Sequence, residues 1–238
     1  MPERVNKERI YKILKSSIEL LMIKIVSQKN VFTAGWLLAL SALVGTSLMV
    51  IVNGHSKPYI AENERQVLLR SLNSVISPDT YTNNILNDVL TVQDKELLGS
   101  KEPILVYRAR QDTKPIAAAL TVIAPNGYNG NIYLLVGIDF SGHITGVRVV
   151  KHRETPGLGD AIESKRSNWI ESFSKKSLTN PGDAGWKVKR DGGEFDQFTG
   201  ATITPRAVVG AVHKALIYFK KNRKLIFTIP NVISTNNK

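Results

Sequence analysis

Residues 31–52 read VFTAGWLLALSALVGTSLMVIV, with no charged side chain. At about 1.5 Å per residue a helix of this length reaches about 33 Å, enough to cross a hydrocarbon core of about 30 Å. A buried core helix and a cleaved signal peptide are the competing explanations. A core helix usually shows a polar stripe, and here Thr33, Ser41, Thr46 and Ser47 are only scattered. A signal core is shorter, and a charged lead of thirty residues is long for one. The pattern therefore predicts a retained membrane span over 31–52. Ahead of it, Ile10, Ile13, Leu14, Ile18, Leu21 and Ile25 recur at helical spacing, with Arg9, Lys12, Lys15 and Ser16 largely off that stripe. Such a leader suits an amphipathic helix on the cytoplasmic membrane face. It equally suits a segment packed on a partner or partly disordered.

Beyond the span the periodicity changes. Residues 53–60 read as a linker, with Pro58 in it. Residues 61–76 predict a helix with Val67, Leu68, Leu72 and Val75 on one face and Pro78 as its stop. Residues 85–92 are ambiguous, with a strand as one reading. Four apolar or alternating runs then predict strands at 104–109, 116–123, 132–138 and 144–150, with turn signals at 112–115, 125–130 and 141–142. Residues 160–173 predict a helix, 186–188 a short strand between loops at 179–185 and 191–200, and 205–221 a final helix. That helix turns Ala207, Val208, Ala211, Val212, Ala215, Leu216 and Phe219 inward. The order argues for an α+β domain with a mostly antiparallel sheet and flanking helices behind one transmembrane helix. The predicted organisation is a basic leader (1–30), a span (31–52), a linker (53–60), a folded domain (61–222) and a basic, polar tail (223–238).

Charge changes the picture in two ways. The net charge of +12 would suggest nucleic acid, but the excess sits at the ends. Residues 1–30 hold seven basic and three acidic side chains, and residues 213–238 hold six basic and none acidic. The middle is nearly neutral, which argues against a nucleic-acid groove. Seven Lys and Arg precede the span, whereas Lys57 alone follows it closely. The positive-inside rule then places the N-terminus in the cytoplasm and the main domain outside, in the periplasm of a bacterium. The chain has no cysteine, which excludes disulfides, Fe–S ligation and thiolate zinc sites.

The usual catalytic sets are missing from the sequence. His55, His143, His152 and His213 show no metal-ligand spacing, so no metal site and no catalytic residue is predicted. Gly157-Leu158-Gly159 begins like a dinucleotide fingerprint, but Ile162 stands where a third glycine is needed. Two stretches do attract notice. Glu154-Thr155-Pro156-Gly157-Leu158-Gly159-Asp160 lies between a strand and a predicted helix, where two glycines let a flat ligand approach the main chain. It also reads as an ordinary connection ending in an Asp N-cap. Phe198-Thr199-Gly200-Ala201-Thr202-Ile203-Thr204-Pro205 marks a helix start, with Thr204 as N-cap and Pro205 at the first position. Such a start suits a phosphate, and the Thr204 hydroxyl could cap the helix or carry a phosphoester.

Both stretches in this order, behind a single span, closely resemble the G subunits of the Rnf/Rsx electron-transport complexes. The C subunits of the sodium-pumping NADH:quinone oxidoreductases share them more loosely. The resemblance runs from about Gly35 to Tyr218 and includes Gly127-Tyr128 and the run Leu134-Leu135-Val136-Gly137-Ile138. It implies FMN joined by a phosphoester to Thr204, attached by a flavin transferase that uses FAD and magnesium and releases AMP. It further implies that Thr199, Gly200, Ala201 and Thr202 shape the transferase recognition loop and phosphate pocket. Glu154, Thr155, Gly157 and Leu158 would line the isoalloxazine. Thr199 stands where Ser is frequent, and the leader is longer than in similar subunits. The implied role is an electron relay in a bacterial inner-membrane complex, partnered by its other subunits. That complex would couple ferredoxin/NAD electron flow to ion movement or keep a redox-sensing regulator reduced. The competing reading is a membrane-anchored, non-catalytic binding or scaffold domain in the periplasm.

Overall fold

The computed structural model describes residues 2–229. They fall into two compact units divided between Glu64 and Arg65. The first is supplied by helix α1 (Pro2–Asn73) as far as Glu64, and the rest of α1 belongs to the second. Its described side chains over 31–52 are all exposed, Phe32, Trp36, Leu38 and Met49 among them. It is therefore no core helix of this chain. From Val31 it is long and apolar enough to cross a membrane. Two of its hydroxyls bond within the helix: Ser41 Oγ donates to the Leu38 carbonyl at 2.9 Å and Thr46 Oγ1 to that of Ala42 at 2.8 Å. Those two groups make no polar demand on an apolar medium. Residues 53–60, expected as a linker, are instead helical. One proline removes a single ladder bond, and this long helix continues through it. Of the leader's apolar stripe only Ile18 has a described side chain, and it is exposed. Ile10, Ile13, Leu14, Leu21 and Ile25 lie outside the residues whose side chains are described, and residues 230–238 of the tail lie outside the described chain.

The second unit is built on a five-stranded antiparallel meander: β1 (Val89–Asp94), β2 (Ser100–Gln111), β3 (Lys114–Gly127), β4 (Gly130–Asp139) and β5 (Ile144–Lys151), in that spatial order. Alternation along each strand sends side chains to two faces. On β3, Ala118, Leu120, Val122 and Ala124 enter one core and Ala117 and Ala119 the other. The larger core is closed by helix α2 (Ile203–Thr228), which buries Val208, Ala211, Val212, Ala215, Leu216 and Phe219 as its periodicity predicts. Ala207 is only partly buried, and Val209 and Tyr218 join the buried face. The smaller core holds Leu72, Val75, Ile76 and Ile85, with Leu68 and Leu69 at its edge. Val67, expected inward, is exposed.

Three expected elements are corrected. Residues 160–173 form two separate 3-10 turns, Gly159–Ile162 and Trp169–Phe173, not one helix. Ser167 Oγ donates to the Ala161 carbonyl at 2.6 Å and accepts the Trp169 N–H at 3.1 Å, so a side chain takes the backbone groups that a helix would pair. The strand expected at 186–188 is reduced to one isolated bridge, between Val188 and Phe195. Helix α2 continues past residue 221 into the segment expected as a tail.

That extension has a cause. Arg108 on β2, 1% exposed, donates from Nη1 to the carbonyls of Ile226 (2.9 Å) and Ile229 (2.6 Å). Arg110 Nη2 donates to that of Phe227 at 2.9 Å. Two guanidinium groups thus satisfy carbonyls that the end of a helix leaves without partners. Asp88 sits between them, 2.7 Å from each Nε.

The β4–β5 hairpin is closed by Asp139, whose Oδ1 accepts Ser141 Oγ (2.6 Å) and the N–H groups of Gly142 (2.8 Å) and His143 (3.0 Å). Partial burial acts to raise this carboxyl. The hydrogen bonds, with His143 nearby, outweigh it and hold the group below its ordinary value. A carboxyl lowered by folding stabilises the fold above its unfolded titration range, and that contribution is lost as pH falls through the folded value. Asp139→Asn should therefore flatten part of the acid limb of stability below about pH 5. At neutral pH it should cost no more than about 1 kcal/mol after solvent screening, read from urea melts.

Candidate functional site

After β5 the chain is braced by a histidine. His152 Nδ1 accepts the Glu154 N–H at 3.0 Å, which leaves Nε2 protonated and donating to Glu163 Oε1 at 2.6 Å. Glu154, 4% exposed, turns its carboxylate back to the β3–β4 turn. Oε1 accepts the Asn129 N–H at 3.0 Å and Oε2 the Tyr128 N–H at 3.3 Å. The chain then reverses tightly. The Thr155 carbonyl accepts the N–H groups of Leu158 and Gly159, both at 3.1 Å, and Gly157 takes φ +78°, where a β-carbon is disfavoured.

The second stretch enters from the other side. Trp169 packs edge-on against Phe198 at 5.1 Å between ring centres, and its Nε1 donates to the Asp196 carbonyl at 2.8 Å. Gly200, at φ +78°, turns the chain into α2. The helix start differs from expectation. Its N-cap is Thr202, already in helical conformation and making no side-chain capping bond. Thr204 and Pro205 lie inside the first turn. The Thr204 hydroxyl therefore caps nothing. It is buried, 1% exposed, and donates to Glu154 Oε2. Asp160, expected as an N-cap, makes no cap either. It sits within a 3-10 turn and pairs with Arg166 at 3.3 Å. Arg206 grips Asp191 through Nε (2.5 Å) and Nη2 (2.6 Å), and these hydrogen bonds hold the Asp191 carboxyl below the usual range.

Between the two stretches lies a cavity of about 310 Å³. Glu154, Thr155, Leu158, Gly200, Ala201, Thr202 and Thr204 line it, together with Tyr128, Gly159 and Ile203, which lie outside the expected site set. Thr199 and Gly157 shape the adjoining turns without lining it. Tyr128, Leu158 and Ile203 are exposed, so the mouth is apolar while the wall at Thr204 is polar. Gly159 is needed for closeness. A β-carbon there would lie 2.9 Å from Glu154 Cβ, 2.9 Å from Thr204 Oγ1 and 3.0 Å from Glu154 Oε2. Gly159→Ala should thus push the carboxylate and hydroxyl apart and cost about 1–3 kcal/mol, measured by chemical denaturation. An apolar mouth, a hydroxyl on the inner wall and a helix first turn beside it fit a flat aromatic group carrying a phosphate.

The remaining histidines have structural neighbours. His143 sits at the β4–β5 turn, and the His213 ring stacks on Trp186 at 5.3 Å. Among the described residues no cluster of His, Cys, Asp or Glu has the arrangement of a metal site.

Known proteins share much of this sequence. Residues 127–217 match the FMN-binding domain family, a range that includes Tyr128, Glu154 and Thr204. Residues 22–75 match the RnfG N-terminal region. The G subunit of the ion-translocating oxidoreductase complex of Shewanella baltica (strain OS223) is 47% identical over 196 residues, which is 82% of this chain and 92% of the relative. Its counterpart in Pseudomonas aeruginosa (strain UCBPP-PA14) is 47% identical over 198 residues, 83% and 92% of the two chains. That of Photorhabdus laumondii is 48% identical over 201 residues, 84% and 92%. With most of its length aligned at this identity, the chain belongs to the family of G subunits of ion-translocating oxidoreductase complexes and carries the FMN-binding domain.

Proposed function

We propose that this chain is the flavin-bearing electron relay of an Rnf/Rsx-type complex, with FMN esterified to Thr204 and its domain on the outer face of the bacterial inner membrane. One observation carries the reading: the Thr204 hydroxyl is held on a cavity wall by Glu154 instead of capping its helix. When bound, FMN supplies one- or two-electron chemistry. The residues supply position. Thr204 tethers the phosphate, and Gly200, Ala201 and Thr202 leave room beside it at the helix entrance. Tyr128, Leu158 and Ile203 offer apolar surface to the ring system, with Glu154 and Thr155 at the polar side. Thr199 and Gly157 set the turns on which these residues stand.

Membrane placement rests on the span beginning at Val31 and the basic flank before it. The leader, residues 1–30, then faces the cytoplasm, and the other subunits of the complex act as electron donors and acceptors. The coupled process is electron flow on a ferredoxin/NAD side driving ion movement, or reduction of a redox-sensing regulator. Maturation requires a flavin transferase as a transient partner. The test is intact and peptide mass analysis of chain taken from its own membrane. A gain equal to FMN minus water, on the peptide containing Thr204, is expected. A bare peptide in the native complex overturns the reading.

A further inference from the structure

We propose that Glu154 is the proton acceptor for Thr204 during flavin attachment, so that this chain contributes a catalytic residue to its own modification. The inference rests on the reading of Thr204 as the attachment point. A threonine hydroxyl is a weak nucleophile, and its proton must leave as it attacks phosphorus. Thr204 is 1% exposed, so bulk water is poorly placed to take that proton. Its hydroxyl already donates to Glu154 Oε2.

The carboxylate is held for the task. Asn129 and Tyr128 donate backbone N–H groups to its two oxygens, and His152, itself oriented by Glu163, holds its backbone. Nucleophile, base and orienting groups thus stand in hydrogen-bonded series. Both oxygens are used as acceptors, Oε1 by Asn129 and Oε2 by Tyr128 and the Thr204 hydroxyl, which a carboxylate can satisfy and a side-chain amide cannot. A buried carboxylate beside an incoming phosphate is moreover repelled by it unless it becomes neutral. Taking the Thr204 proton does this, and the resulting acid can donate a hydrogen bond to a phosphodiester oxygen.

The step balances without redox change. Thr204 Oγ1 bonds to the flavin-side phosphorus of a flavin adenine dinucleotide, and the bond from that phosphorus to the adenylate half breaks. Adenosine monophosphate leaves with the bridging oxygen and its electron pair, while the proton passes to Glu154 Oε2. The partner transferase and its magnesium ion activate the dinucleotide.

The experiment uses the full chain in detergent with the transferase, FAD and magnesium, and follows the gain in mass with time. Glu154→Gln is expected to lower kcat for loading by roughly 100-fold or more, with KM for the acceptor chain little changed. Glu154→Asp, which keeps a carboxylate, should load faster than Glu154→Gln when the two are compared at equal folded fraction by circular dichroism. Loading of Glu154→Gln at the wild-type rate overturns the proposal. So does a raised KM with kcat intact, or equal rates for the two variants at equal fold. Each of these leaves attachment at Thr204 standing. A wild-type chain that gains no mass overturns attachment itself, and this proposal with it.

Discussion

Thr204→Ala is expected to yield a folded chain carrying no covalent flavin, even from cells producing the transferase. The change removes the nucleophilic oxygen, so loading falls to zero and not by a fraction. Fold should survive, because the methyl replaces a small side chain and the lost hydrogen bond to the Glu154 carboxylate is worth about 1.5–3 kcal/mol, with the Tyr128 and Asn129 N–H groups still donating to it. Thr199 and Thr202 lie close in sequence and provide an internal control, since neither donates to Glu154 among the described hydrogen bonds. Thr204→Ser keeps the oxygen and should retain loading. Denaturing-gel fluorescence and intact mass read the result directly. A persisting mass gain in the alanine variant would move the attachment to another residue.

Asp88→Ala should produce the largest loss of stability. Asp88 lies between Arg108, which is almost fully buried, and Arg110, and accepts from both. Its removal leaves a buried guanidinium without its countercharge, at a cost of about 3–5 kcal/mol. For a unit of this size that lowers the melting temperature by roughly 10 °C or more. Arg108→Met removes charge and donors together, and in combination with Asp88→Ala it should recover part of the loss. A melting temperature for Asp88→Ala within about 1 °C of wild type would show that solvent screens the pair far more than its burial implies.

Strands β2 to β5 were readable because each presents an apolar or alternating run between turn residues, and only their ends were underestimated. β1 was ambiguous because its apolar run starts at Ile85, in the turns that precede Val89, so period alone misplaces its edge. The helix expected over 160–173 failed at Ser167, whose hydroxyl competes for backbone groups, a choice that pattern does not record. The Thr204-Pro205 pair signalled a helix start correctly but placed it two residues late, since the backbone turns helical at Ile203 with an unused Thr202 hydroxyl before it. Recognition of the two motifs named Glu154 and Thr204 as site residues. It did not reveal that one accepts from the other across 50 residues of chain. Tyr128 and Ile203 stand at the cavity mouth, a place that depends on how the β3–β4 turn meets α2. The contact of Arg108 with Ile226 spans 118 residues and left no local trace.

Helix α2 holds Thr204 in its first turn and the carbonyls gripped by Arg108 and Arg110 at its far end, about 33–35 Å away along the axis. It therefore behaves as a strut clamped at its tail and bedded along its length on the sheet. A prosthetic group mounted at the tip inherits that stiffness, because sway in the surrounding loops is not added to its coordinates. With the flavin attached as proposed, its distances to redox centres in partner subunits would be set by how the subunit docks. Loosening the arginine clamp should blur those distances without touching a single atom near the tip.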